Sequence, residues 1–482
     1  MSDSAGSLPQ VQNPLTLLRS RSYLALLLIA AVLGVPISVV AYYFLQLTTH
    51  MQTWLFTDLP KGVGFHGVPT WWPAPVLAVG GLLVALTIRY LPGKGGASPA
   101  DGFKVHGAPT AIQLPSVILA SVLTLGFGAV LGPEAPLIAI GAGLAAWSIR
   151  LIKRGANAQA VAVVGAAGSF AAISTLLGSP LLGAFLLMEA SGLGGATASL
   201  VLVPGLLSAG IGSLVFIGLD SLTGLGKTSL SIPNLPPFTR PDVAEFGWAF
   251  AIGLAAAIVG LGIHRLGLWM RTPVERRLLI AAPIVGLIVA GLAIAYFEGS
   301  GHPSSEVLFS GQADLGPLIL HSSAYTAGAL ALLVACKSIA YGASLSTFRG
   351  GPIFPAMFIG GAGGILMSHL PGLPLVPAVA MGIGAMCVSM LRLPFTSVLL
   401  ATLLLYSDGV AAMPLVILAV VVAHVASAHL NPVPDTPAPA PEPAPPAPAG
   451  HPNGSSGRDD APLVPGRAGS GDTTNPEVAH DG

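Results

Sequence analysis

The chain has 482 residues, 53% hydrophobic and only 8% charged, with a mean hydropathy of +0.79. Soluble domains carry about 25% charged residues, so this composition excludes a cytosolic enzyme and a secreted scaffold and leaves a polytopic membrane protein. Twenty basic residues balance twenty acidic ones, so no basic field exists to attract nucleic acid.

Residues 1–20 form a polar, cytoplasmic N-terminal segment, because Arg19 and Arg21 flank the first long apolar stretch, Tyr23 to Leu47, on that side. That stretch is too long and too late for a secretory signal. Further apolar runs fall at 72–91, 112–131, 137–149, 160–190, 195–219, 246–270, 279–297, 316–345, 353–369, 374–391 and 393–429. Several are shorter than the ~20 residues that cross the hydrocarbon, and others are interrupted by Gly-Pro pairs. Broken helices at membrane depth occur only where the freed backbone lines a cavity or is buried in protein, a pattern of transporters and channels. All six tryptophans stand near the ends of runs, as interfacial belts require. Cys336 and Cys387 lie inside apolar runs without spaced partners, so neither a metal site nor a disulfide is expected, and no cofactor. Residues 221–245 read as a linker between a first membrane half (21–220) and a second (246–429). The Pro/Ala/Gly-rich tail, 430–482, cannot bury apolar surface and is expected to be disordered.

Self-similarity is the most informative feature. Gly132-Pro133-Glu134-Ala135-Pro136, followed by Ile140 and Gly141, matches Gly351-Pro352-Ile353-Phe354-Pro355, followed by Ile359 and Gly360. Gly168 lies twelve residues before Pro180, and Gly382 twelve before Pro394. Two matching pairs at nearly the same offset imply two homologous halves, and such repeats with broken helices place a substrate site near the midplane. Gly-Pro-x-x-Pro starts a helix, since proline suits a first turn whose N–H is orphaned anyway. The remaining N–H groups and the positive dipole end bind an anion without a full charge. The loop at 95–99 (GGASP) is a third such element. Into this setting the sequence puts one carboxylate, Glu134, which can occupy the place of an anion until protonation releases it. The plainer reading of Glu134 is a capping carboxylate without a gating role.

These residues resemble the chloride channel (CLC) family of anion channels and proton/anion antiporters, over roughly residues 20–428. LGPEAP (131–136) looks like the family's glutamate-bearing motif, which implies that Glu134 is the gate. GGPIFP (350–355) resembles the segment whose backbone amides face the anion, here Ile353 and Phe354. GKGGASP (93–99) resembles the third anion-facing loop, here Gly96, Ala97 and Ser98. The resemblance implies an all-α multi-pass protein with two inverted-topology repeats, of the voltage-gated chloride channel kind. It further implies a homodimer in the cell membrane with a separate pore in each protomer, chloride or a similar small anion as the partner, and no enzymatic activity.

The departures concern coupling. Gly96 stands where an anion-contacting serine is expected, and Pro352 removes one backbone donor. Glu189 matches the first residue of an acidic pair, but Ala190 replaces the inner, proton-relaying glutamate. No tyrosine follows Tyr406, so the pore tyrosine of the last helix is missing. Channel-like conduction is therefore favoured over proton-coupled antiport, with Glu189 the candidate proton route if antiport operates. An intramembrane hydrolase built on Ser300 and His302 is the rival from another class, but those residues lie in a turn-forming loop.

Overall fold

The computed structural model describes residues 20–430 except 104–106, 193–194, 225–231, 233–234 and 239. The polar start, much of the 221–245 linker and the tail expected from the sequence lie outside the described residues. Helix α1 (Arg21–Thr53) opens under Ser20, whose Oγ accepts the Tyr23 N–H at 3.1 Å. It runs on through a π turn (Trp54–Asp58) to Gly62. Trp72 donates its indole N–H to the Leu55 carbonyl inside that π turn, at 2.9 Å. Trp72 is thereby buried with Leu55, Val76 and Phe127. Trp54, Trp71, Trp147 and Trp269 are exposed.

The first half continues with α2 (Pro73–Tyr90), α3 (Leu114–Gly126), α4 (Glu134–Ile152), α5 (Ala158–Leu177), α6 (Pro180–Ser191) and α7 (Gly195–Thr223). The second comprises α8 (Val243–Arg276), α9 (Leu278–Ser300), α10 (Gln312–Leu320), α11 (Ala327–Thr347), α12 (Ile353–Ser368), α13 (Leu375–Leu391), α14 (Pro394–Leu404) and α15 (Tyr406–Leu430). Among the described residues, nine helices are long and apolar enough to cross a membrane, and α3, α6, α12, α13 and α14 are shorter. The apolar runs 160–190, 316–345 and 393–429 are each broken into two helices. Local chemistry accounts for the first break. Gly178 ends α5 in the left-handed conformation (φ 61°), and the Ser179 hydroxyl accepts the Leu182 N–H at 3.3 Å, with Pro180 in the first turn.

The repeat seen in the sequence is a repeat in space. Helices α4 and α5 pack against each other as α12 and α13 do, and each pair crosses backbone to backbone at glycines. A Cβ on Gly141 would collide with the Gly168 carbonyl, and one on Gly360 with the Gly382 carbonyl. Between helices in lipid, where burial of apolar surface supplies no net drive, such close approach is what holds a pair together. Helix α13 ends at Arg392, left-handed at φ 60°, two residues before Pro394, as α5 ends at Gly178 two residues before Pro180. The two halves meet head to head: Gly132 donates to the Gly351 carbonyl at 2.8 Å and Gly351 to the Gly132 carbonyl at 2.6 Å, an isolated antiparallel bridge. That reciprocity is what two copies of inverted topology produce about a common axis. Helices α7 and α8 extend into the two ends of the sequence-predicted linker. Within it, Ile232 is buried and donates to the Leu404 carbonyl at 2.9 Å.

Candidate anion site

The Gly132–Gly351 bridge places the two Gly-Pro turns side by side, so the first turns of α4 and α12 begin at one point. Glu134 opens α4 and is fully buried. Its carboxylate reaches across to the second half, where Oε1 accepts the Phe354 N–H at 2.8 Å. The amides of Ile353 and of Glu134 itself also face it. Oε2 is buried and has no hydrogen-bond partner. A Cβ on Gly132 or Gly351 would strike the carboxylate, so glycine at both positions leaves room for it where it stands. The carboxylate thus fills the positive end of α12, where free N–H groups and the helix dipole favour a negative charge. Tyr341 on α11, also fully buried, braces this turn by donating its hydroxyl to the Pro352 carbonyl at 3.2 Å. On the first-half side, Val130 N–H donates to the Ser344 hydroxyl at 3.1 Å.

The third loop lies beside this point. Gly93, Lys94, Gly95 and Gly96 are all left-handed (φ 92°, 49°, 72° and 88°), a coil that only a glycine-rich segment adopts at low cost. It leads through Gly96, Ala97 and Ser98 into a 3₁₀ turn at Pro99–Asp101. Those three residues line a cavity of about 130 Å³ whose other walls include Ala135, Pro136, Arg349 and Pro352. Ala135 and Pro352 are the chain neighbours of Glu134 and Ile353, so the cavity abuts the carboxylate site. All three motifs singled out in the sequence therefore converge, with Ile353 and Phe354 facing Glu134 and Gly96, Ala97 and Ser98 facing the adjacent cavity.

Glu189 is elsewhere, at the contact of α6 with α14. Its Oε1 accepts the Phe395 N–H at 2.9 Å, and Oε2 accepts the Thr396 N–H at 2.8 Å and the Thr396 hydroxyl at 2.6 Å. It caps a helix of the opposite half. Ser300 and His302 form no nucleophile–base pair. The Ser300 hydroxyl donates to the Tyr296 carbonyl at 2.7 Å, and the His302 ring stacks on Tyr325, 4.1 Å between centroids. Cys336 and Cys387 are free and buried.

Sequence reasoning passed over Lys337, a fully buried lysine on α11. Its ammonium donates to the carbonyls of Glu306 (2.7 Å), Leu308 (3.0 Å) and Val307 (3.3 Å), and lies 4.2 Å over the Phe358 ring. It ties down the 304–309 turn, from which Phe309 N–H donates to the Gly128 carbonyl at 3.1 Å, at the approach to Gly132. An ionisable residue in a membrane helix is itself a signal, and Lys337 carried it unread.

Comparison with known proteins bears on the family and the fold. The family model described as voltage gated chloride channel matches residues 80–428. A protein of Salmonella schwarzengrund named as ion-transport protein YfeO is 30% identical over 370 residues, 76% of this chain and 86% of the relative. The protein of the same name in Escherichia fergusonii is 28% identical over 374 residues, 76% and 84% of the two chains. Among solved structures, a slow cyanobacterial Cl-/H+ antiporter superimposes with a TM-score of 0.68 at 20% identity, over 84% of this chain and 95% of that one. A CLC-type fluoride/proton antiporter gives 0.63 at 21% identity, with the same coverage. At those identities the structural likeness establishes the fold.

Proposed function

Since the chain belongs to the voltage gated chloride channel family, we propose that it conducts chloride or a similar small anion across the membrane, gated by Glu134. The observation that carries this reading is the Glu134 carboxylate seated on the Phe354 N–H, at the helix start where a permeant anion would bind. A negative side chain in an anion's place is a plug, and protonation weakens its hold on the amides. The amides supply affinity without a full charge, which lets the ion leave. Gly96, Ala97 and Ser98 line the approach. The protein acts as a homodimer with one pore per protomer, in the cell membrane, and catalyses no covalent chemistry.

Conduction in this reading is passive. Glu189, the candidate proton stop, already spends both carboxylate oxygens on the α14 cap, and Ala190 holds no proton. Proton-coupled antiport is the second reading, favoured by two structural neighbours that are titled Cl-/H+ and fluoride/proton antiporters. The test is proton uptake into proteoliposomes driven by a chloride gradient at clamped voltage. Chloride flux without stoichiometric proton movement supports the passive reading, and a fixed non-zero proton-to-chloride ratio replaces it with antiport.

A further inference from the structure

Three uncommon backbone features meet on the approach to Glu134. Helix α3 ends at Gly126, and the chain bends at Gly128, left-handed at φ 96°, before it returns to Gly132. The bend faces the 304–309 turn, where Phe309 is left-handed at φ 57°, an outlier for a bulky residue. The third feature is the π turn of α1, which carries Phe56. The Phe56 and Phe309 rings meet edge to face, 5.0 Å between centroids and 75° between planes, and both are half-buried. A Cβ on Gly128 would lie 3.1 Å from the Phe56 ring and 3.5 Å from that of Phe309, so the pair sits directly on the bend. A strained residue persists only where its surroundings over-determine it, and here they do. The Phe309 N–H donates to the Gly128 carbonyl at 3.1 Å. Lys337 binds the carbonyls of Glu306, Val307, Leu308 and, at 3.5 Å, Phe309 itself.

The pair lies across the site from the cavity at Gly96, Ala97 and Ser98. Helix α2, long and apolar enough to cross the membrane, starts beside Leu55, whose carbonyl Trp72 binds, and ends just before the 93–99 loop. Phe56 is the chain neighbour of Leu55, so the aromatic pair belongs to the membrane side on which α2 begins. Four residues separate Gly128 from Gly132, a reach of at most about 14 Å. An apolar narrowing opposes an ion by excluding its water, and the edge of an aromatic ring is its positive part. We propose that Phe56 and Phe309 form a constriction on this second entrance to the Glu134 site, which an anion passes with the rings turned aside. Ring rotation is fast, so the pair filters entry and leaves the gating to Glu134. The inference rests on the transport reading above.

The test is thiol modification of Glu134→Cys by 2-sulfonatoethyl methanethiosulfonate, an anionic reagent, in right-side-out and in inverted membrane vesicles. Protein with Glu134 intact sets the background from the buried Cys336 and Cys387. Phe309→Gly, added to Glu134→Cys, deletes the ring and suits the left-handed backbone, so it relieves strain instead of adding it. It speeds modification from the Phe56 side by about tenfold, the upper end for one aromatic pair, and leaves the rate from the Gly96–Ser98 side unchanged. Phe56→Ala, which leaves Phe309 in place, acts in the same way and decides should Phe309→Gly fail to fold. A rate from the Phe56 side that neither variant moves overturns the inference. Equal acceleration from both sides overturns it too, because that marks a general loosening, and so does an absence of modification from the Phe56 side in every variant. Chloride flux judges the underlying reading separately. A wild type that moves no anion sinks transport, whereas one that moves chloride with access unchanged in Phe309→Gly sinks only the constriction.

Discussion

Replacing Glu134 by glutamine keeps the shape of the side chain and deletes its charge. In the wild type the carboxylate oxygen stands 2.8 Å from the Phe354 nitrogen, a full hydrogen bond to a donor that a bound anion would need. An anion that approaches to about 4 Å of that carboxylate meets a repulsion of about 4 kcal/mol at an effective dielectric constant near 20. Since about 1.4 kcal/mol is tenfold, occupancy next to the carboxylate falls nearly a thousandfold. Glutamine abolishes this term and retains a neutral hydrogen bond to Phe354, worth about 1 kcal/mol, which an anion can displace. Its second terminal atom inherits the position of Oε2, which has no partner, so the amide is held less well than the carboxylate. Chloride efflux from proteoliposomes, read with an ion-selective electrode at acid and neutral pH, gives the outcome. Wild-type flux rises as pH falls, because protonation removes the charge; Glu134→Gln runs near the acid level at both pH values, and Glu134→Ala, which also clears the volume, equals or exceeds it. Wild-type pH dependence preserved in Glu134→Gln would refute the gate.

Glu189→Ala removes three hydrogen bonds at the α14 start and costs about 1–2 kcal/mol, the range for a lost cap; melting in detergent falls while chloride flux and its pH profile stay as in wild type. Gly141→Ala and Gly360→Ala, which force a Cβ into a facing carbonyl, each lower stability by about 1–3 kcal/mol. The two losses are similar because the sites are repeats, and Gly363→Ala, with open space beside it, is neutral by the same melting assay. Lys337→Met leaves the carbonyls of Glu306, Val307 and Leu308 unpaired at about 1–3 kcal/mol for each buried orphan. Monodisperse yield drops sharply, and Lys337→Arg, too large for the enclosed site, does not restore it.

The inverted repeat and its two Gly-Pro turns were legible in the sequence because backbone chemistry writes them: proline in a first turn, glycine where two main chains touch. Gly141, Gly168, Gly360 and Gly382 were visible as matched positions of the repeat, and Gly141 meets Gly168 as Gly360 meets Gly382. Helix breaks inside the runs 160–190 and 393–429 were not legible from hydropathy, since apolar residues flank each break. Only the caps, Ser179 for example, betray them. The partner of Glu189 lies 206 residues away on α14, and its bonds are to main-chain amides, which every residue carries and no sequence pattern marks. The partner of Trp72 was hidden for a related reason: its indole donates to a main-chain carbonyl in the π turn of α1. Arg349 and Lys337, lone charges in apolar surroundings, went unread in the sequence, and what each touches depends on how α11 is set against the turns at 93–99 and 304–309.

The paired hydrogen bonds between Gly132 and Gly351 bear on speed. Many carriers built from inverted repeats expose their site alternately by rocking one half against the other, a collective motion of microseconds to milliseconds. Here the halves are stitched together where such a motion would have to part them, and the seam is main chain, which no rotamer change can release. In the proposed gating the element that moves is one carboxylate of a few atoms, and side-chain rotation is orders of magnitude faster than domain motion. Opening of the path in the proposed reading is thus expected to follow the protonation of a single residue, and to be indifferent to cross-linking of the two halves.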